Sequence, residues 1–268
     1  MRLLRFLMIS LFSFFGGIYL LYFCYIYFNQ AELVFVNSKL SSDYEFNYQD
    51  DFDEVYIESY DGVKLNGLLF KSINSKGLVF FLHGNAGNLS GWGSISKTYT
   101  SLGYDVFILD YRGYGKSEGV IENEAQVMND SNLVFKKISK SYQNKKIFIT
   151  GYSIGTGIAT QLAAKNKIDA LFLIAPFYNF SEFTKSRVPY FPDSFKKFKF
   201  ETNKYITTVK APIYIFHGDK DNIISLENAI RLKQIIKSED LLFTLVDEDH
   251  IGITDNLDFQ QELKKLLN

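Results

Sequence analysis

The run Ile147-Phe148-Ile149-Thr150-Gly151-Tyr152-Ser153-Ile154-Gly155-Thr156-Gly157 constrains this chain more than any other stretch, because an apolar, β-branched segment passes through G-x-S-x-G into an Ala-rich helical pattern. A serine at a sharp strand-to-helix turn takes strained dihedrals, and the residues two before and two after it must lack bulk for the chain to pass. The pattern therefore predicts a strand ending near Thr150, a helix over 154–165, and Ser153 presented at the tip of the turn as a candidate nucleophile.

Around this segment the chain alternates. Apolar runs at Leu78–Leu82, Asp105–Leu109, Lys146–Thr150, Ala170–Ile174 and Ile213–Phe216 read as buried parallel strands. Helical patterns separate them, near Trp92–Leu102, Glu122–Tyr142, Ile154–Lys165 and Leu226–Ile236, with a last strand near Leu241–Val246 and a last helix near Phe259–Leu267. Ahead of them, Asp53–Glu58 and Val63–Phe70 flank Tyr60-Asp61-Gly62, a turn signal that reads as an antiparallel hairpin. The class is α/β. The exception to the rhythm is 178–209, where 32 residues with Pro189 and Pro192 stand between two strands in place of one helix. Its aromatic residues alternate with lysines and an arginine, a composition suited to a short cap that lines an apolar pocket or touches lipid headgroups, or to a packed surface excursion with a basic face.

The first thirty residues differ from the rest. From Phe6 to Phe28 there are 23 residues without a charge, enough to cross a hydrocarbon core of ~30 Å as a helix. A cleavable signal peptide would have a shorter apolar region ending in small residues, whereas Tyr22–Asn29 is bulky and aromatic. The expectation is an uncleaved signal anchor over 1–30 and a catalytic domain over 31–268. With Arg2 and Arg5 before the span and acidic residues after it, the positive-inside rule puts the amino terminus in the cytoplasm and the domain across the membrane, in the periplasm of a two-membrane bacterium.

Net charge is −1 and basic residues are spread along the chain, which gives no electrostatic footprint for nucleic acid. The single cysteine, Cys24, lies in the leader, so a disulfide framework, a thiolate metal site and a cysteine nucleophile are excluded from the domain. No cofactor or metal is expected.

An alcohol nucleophile near neutral pH needs a base, and the candidates are His83, His217 and His250. His83 and His217 end strands in His-Gly steps, where an imidazole more often packs or satisfies a loop. His250 follows the last strand and leaves room for an acid between it and Ser153, the order that G-x-S-x-G enzymes use. The loop Gly218-Asp219-Lys220-Asp221-Asn222 supplies that acid, and spacing alone does not separate Asp219 from Asp221; Asp247 and Asp249 are the bland alternatives, solvated loop acids. Backbone N–H groups of Ile154 and of Asn85, in the glycine-rich loop His83–Asn88, are the candidate oxyanion hole.

Taken together, Asp61-Gly62, the loop His83–Asn88 with Leu89, the run Asp110-Tyr111-Arg112-Gly113-Tyr114-Gly115-Lys116-Ser117-Glu118-Gly119, the serine turn, and His217-Gly218 with Asp221 resemble the α/β-hydrolase superfamily, in particular its membrane-anchored serine hydrolases, whose relatives include protein depalmitoylases. The resemblance runs from about Leu33 to the C-terminus. It implies a mostly parallel sheet of about eight strands with helices on both faces, a short cap, and an N-terminal anchor. It also implies Asp221 as the acid beside Ser153 and His250, and structural roles for Asp110 and Arg112. The context Asp249-His250-Ile251-Gly252 departs from the family's usual surroundings of the base. The expected substrate is an ester or thioester, of a lipid or an acylated protein, and the aromatic segment 178–209 and the nearness of the membrane point to an apolar acyl group. A peptidase using the same three residues, or a non-catalytic binding protein on the same fold, are the rival readings.

Overall fold

The computed structural model describes residues 1–268. Eight strands form one sheet: β1 (Phe52–Glu58), β2 (Lys64–Phe70), β3 (Gly77–Leu82), β4 (Asp105–Leu109), β5 (Lys146–Tyr152), β6 (Ala170–Ile174), β7 (Ile213–Gly218) and β8 (Leu241–Leu245). Their order is β1-β2-β4-β3-β5-β6-β7-β8. The β1–β2 hairpin and the β2–β4 pair are antiparallel, and every other pair is parallel.

Each central strand is buried on both faces, which is why its sequence is continuously apolar rather than alternating. Along β3, Leu78, Phe80 and Leu82 face one core, shared with α4 (Glu124–Ser139), α5 (Ile154–Lys165) and α8 (Glu227–Lys233). Val79 and Phe81 face a second core, shared with α2 (Leu89–Trp92), α3 (Ser96–Thr100) and α9 (Leu257–Leu267). Helices thus cover both faces. Asparagine side chains cap three of them: Asn88 accepts from the Ser90 amide, Asn123 from Gln126, and Asn256 from Asp258 and Phe259.

The helix expected over Trp92–Leu102 is a correction. It begins earlier, at Leu89, under the Asn88 cap, and a 3-10 turn at Gly93–Ile95 splits it into α2 and α3. At that split, Gly93 lies against the Tyr48 ring, where a Cβ would collide. Tyr48 belongs to the segment 37–51, which precedes β1. It packs Phe46 and Tyr48 against the second core, and Asn37 and Lys39 bridge to Gly87 and Gly115.

The segment 178–209 holds only single-turn helices, among them α6 (Phe180–Phe183) and α7 (Thr202–Tyr205). Phe180, Phe198 and Phe200 are buried in the first core, while Tyr190 is almost fully exposed. At the N-terminus, α1 (Arg2–Val34) is one helix long and apolar enough to cross a membrane.

Candidate active site

The chain reverses its direction of travel across the sheet between β3 and β5. After β3 it moves outward to β4, then returns to place β5 on the other side of β3. In α/β sheets a crevice opens outside the strand ends at such a point. Ser153 stands at the end of β5 and the loop after β3 stands beside it, with Leu82 registered against Gly151.

Ser153 has φ 53° and ψ −119°, a left-handed conformation that costs ~1–3 kcal/mol for a residue with a Cβ. Close packing holds it there. A Cβ on Gly151 would meet Ala159 Cβ and Thr156 Cα at 2.7 Å, and a Cβ on Gly155 would collide with the Leu82 and His83 carbonyls. Both glycines are therefore required by the approach of α5 to β3 and β5. Helix α5 carries no side-chain cap, so its first amides, including Ile154, point their partial positive charge at the serine.

His250 Nε2 lies 3.0 Å from Ser153 Oγ, and His250 Nδ1 lies 2.7 Å from Asp221 Oδ2. The structure brings these three sequence-predicted residues together in one line of hydrogen bonds. Asp221 Oδ1 accepts from the amides of Ile223 (2.9 Å) and Ile224 (2.8 Å), which turns the carboxylate inward. Burial pushes the Asp221 carboxyl up, but hydrogen bonds from His217, His250 and the Ile224 amide outweigh it and hold the group well below the ordinary carboxylate range. Asp219, the other candidate, accepts from the Asp247 amide at the surface. Asp249 accepts from the amides of Ile251 and Gly252 and so shapes the His250 loop.

The two remaining histidines are buried supports. His217 Nε2 donates to the Ile224 carbonyl (2.7 Å) and lies 3.2 Å from Asp221 Oδ2, beneath the acid. His83 Nδ1 donates to the Gly84 carbonyl (2.6 Å), which fixes the peptide plane whose other end is the Asn85 N–H. Tyr111 and Tyr114 donate to the carbonyls of His83 and Asn85, and Asp110 accepts from the Leu89 amide. The loop is thus held by its carbonyls, and the Asn85 amide has no acceptor within the protein. Arg112 takes no part in this. Its guanidinium is clamped by Asp130 (2.6 Å) and Asp61 (2.7 Å), as the structural role implied.

Sequence reasoning missed Tyr152, whose hydroxyl donates to the His250 and Ile251 carbonyls and whose ring stands edge-on to the imidazole. It fills a variable position of G-x-S-x-G, where the pattern carries no signal. A cavity of about 960 Å³ opens over Ser153. Ile154, Asn85 and His250 line it, together with Phe177, Phe180 and Phe198.

The profile of a family described as serine aminopeptidase, S33, matches residues 73–204, a stretch that holds the serine turn and stops short of Asp221 and His250. Among curated proteins, the lysophosphatidylserine lipase ABHD12 of Danio rerio is 30% identical over 175 residues, covering 58% of this chain and 46% of that protein. Protein bem46 of Schizosaccharomyces pombe is 30% identical over 192 residues, covering 67% and 63%. A solved esterase of Pyrococcus furiosus superposes with a TM-score of 0.68 at 21% identity, covering 87% of this chain and 97% of that one. The chain has the α/β-hydrolase fold. An esterase domain from a Rhodothermus marinus protein shares this α/β-hydrolase fold, with a TM-score of 0.62 at 18% identity over 81% of this chain and 96% of that one. The chain spans about half the length of the curated lipases it matches.

Proposed function

We propose that this α/β-hydrolase cleaves carboxylic esters, or thioesters, of apolar acyl groups through an acyl-enzyme on Ser153. The observation that carries the reading is the Ser153–His250–Asp221 line of hydrogen bonds opening into an aromatic cavity. Ser153 Oγ attacks the acyl carbonyl while His250 Nε2 takes its proton, and Asp221 holds the imidazole in the tautomer that makes Nε2 the acceptor. The amides of Asn85 and Ile154 bind the oxyanion, each such donor contributing ~10²–10³ in turnover. His250 returns the proton to the leaving alcohol or thiol, and water completes the cycle by the same path. The lipase activity named for the curated relatives, and the esterase activity named for the structural neighbours, support this assignment.

The aminopeptidase description of the matching family favours a second reading, hydrolysis of a peptide at its amino terminus. That chemistry calls for carboxylates in the cavity to hold an α-ammonium group. The lining offers Asp255 against Lys196, Arg187 and a majority of apolar surface, which supports an acyl ester instead. With p-nitrophenyl butyrate and the detergent-extracted full chain, the parent is expected to turn over and Ser153→Ala to lose at least ~10³-fold. Equal rates in the two proteins would overturn the assignment.

For placement, 1–30 acts as a single-pass signal anchor with the amino terminus in the cytoplasm and 31–268 as the catalytic domain on the other side, 178–209 serving as its cap. Arg2 and Arg5 before the span and Glu32 after it support this orientation. An alkaline phosphatase reporter fused after Gln30 is expected to be active; an inactive reporter, with an active cytoplasmic one at the same point, would reverse the topology.

A further inference from the structure

Helix α1 is more than a tether. Through Ile18 it runs free of the domain, and from Tyr19 onward it docks on the segment 178–209. Tyr19 donates to the Tyr190 carbonyl (3.0 Å) and Tyr22 to the Pro189 carbonyl (2.7 Å). The Phe23 ring meets Phe191 and Phe195, with centroids 5.2 and 5.0 Å apart. Gln30 bonds twice, donating to the Phe195 carbonyl (3.0 Å) and accepting from the Lys197 amide (2.7 Å). Beyond this seam, Ile26, Leu33 and Val34 line the same cavity as Ser153, whose other wall includes Phe180, Phe191 and Phe198.

The lengths decide where this seam lies. Between the last N-terminal charge, Arg5, and the first docked residue, Tyr19, there are 13 residues, Phe6–Ile18. At ~1.5 Å per residue they reach about 20 Å, roughly 10 Å short of a hydrocarbon core of ~30 Å. A spanning α1 must therefore bury the turns from Tyr19 toward Phe28 as well, and these are the turns that carry Pro189, Tyr190 and Phe191. Tyr190 is 87% exposed and Phe195 48% exposed on the protein itself, as residues in contact with lipid would be. Lys185 and Arg187, both exposed, precede Tyr190 in the chain and carry the charge that suits anionic headgroups.

We propose that the tip of the cap is immersed in the leaflet and that the substrate's hydrocarbon chain reaches Ser153 laterally, from the bilayer, through the seam between α1 and the cap. The substrate class is then a bilayer-resident ester with a long acyl chain, and α1 is one wall of its acyl site. This rests on the ester-hydrolase reading above.

The test uses the full chain in phosphatidylcholine vesicles with p-nitrophenyl palmitate and p-nitrophenyl acetate. Ile26→Trp narrows the seam, and Leu21→Trp, on the exposed face of α1, is the control. Ile26→Trp is expected to lower kcat/KM for palmitate at least tenfold more than for acetate, and Leu21→Trp to leave the ratio unchanged. An unchanged ratio in Ile26→Trp would overturn the lateral route. A second measurement needs no turnover. Tryptophan emission in Tyr190→Trp, taken as the excess over the parent, is expected to be quenched by phosphatidylcholine brominated on its acyl chains. The same emission in Ile73→Trp, 92% exposed at the opposite end of the sheet, is not. Equal quenching at the two sites would remove the cap from the leaflet. If the parent hydrolyses neither ester, the hydrolase reading fails and quenching alone decides the placement of the cap.

Discussion

Asp221 shows how a single residue is selected by its surroundings. Two carboxylates follow β7, and both lie within reach of the His250 loop by spacing. The Ile223 and Ile224 amides turn Asp221 inward and His217 supports it from below, whereas Asp219 accepts from a surface amide. These partners come from the fold around the loop, so the sequence left the pair open and only the resemblance separated them. Replacing Asp221 with Asn puts an N–H where His250 Nδ1–H must donate, which favours the wrong tautomer. Ester turnover by Asp221→Asn is expected to fall by about 10⁴, with the Ser153 side chain still in place. The same residue sets an acid sensitivity. Its carboxyl is held below its unfolded value, so the stability it contributes is complete above the unfolded carboxylate range and is lost as pH falls toward the folded value. Melting temperature in the parent should therefore drop more steeply than in Asp221→Asn between about pH 4.5 and 2; parallel curves would contradict this assignment of the hydrogen bonds.

At the scale of elements, β5 and α5 form one unit whose geometry is written in its glycines. Gly151 and Gly155 allow α5 to cross close to β3, and that crossing fixes Ser153 and the free amides at the helix start. The strand, the helix 154–165 and the hairpin were legible because each depends on its own residues. Gly155→Ala drives a Cβ into the Leu82 and His83 carbonyls, at a cost of about 1–3 kcal/mol. For a chain of this size that lowers the melting temperature by about 2–4 °C per kcal/mol. Ester turnover should fall in the same variant, since both the serine and the loop after β3 shift; an unaltered melting temperature would show that α5 does not pack as described. The split between α2 and α3 was not legible. At the split, Gly93 lies against Tyr48, more than forty residues upstream, and a helical pattern read locally contains no trace of that contact.

On the scale of the whole molecule, the sheet order places the ends of β3 and β5 at the point where the chain changes direction, and the positions of the loop His83–Asn88, the serine and the cavity follow from that order. Alternating strands and helices made the fold class readable. Ser153 and His250 were readable from their order along the chain once the serine turn was recognised, whereas Asp221 was told from Asp219 only by the resemblance. What the alternation could not reveal is the seam between α1 and the segment 178–209, because its hydrogen bonds join residues more than 160 positions apart. Apolar residues that looked sufficient for a tether also serve as a wall of the cavity. The proposed chemistry requires Ser153 to be an activated nucleophile in that cavity. Covalent labelling of the membrane-extracted full chain by a fluorophosphonate, with the modified residue located by mass spectrometry, tests it most directly. A single adduct on Ser153 is expected, one that disappears in Ser153→Ala and is strongly slowed in His250→Ala. A folded parent that takes no label, or takes it on another residue, would contradict it.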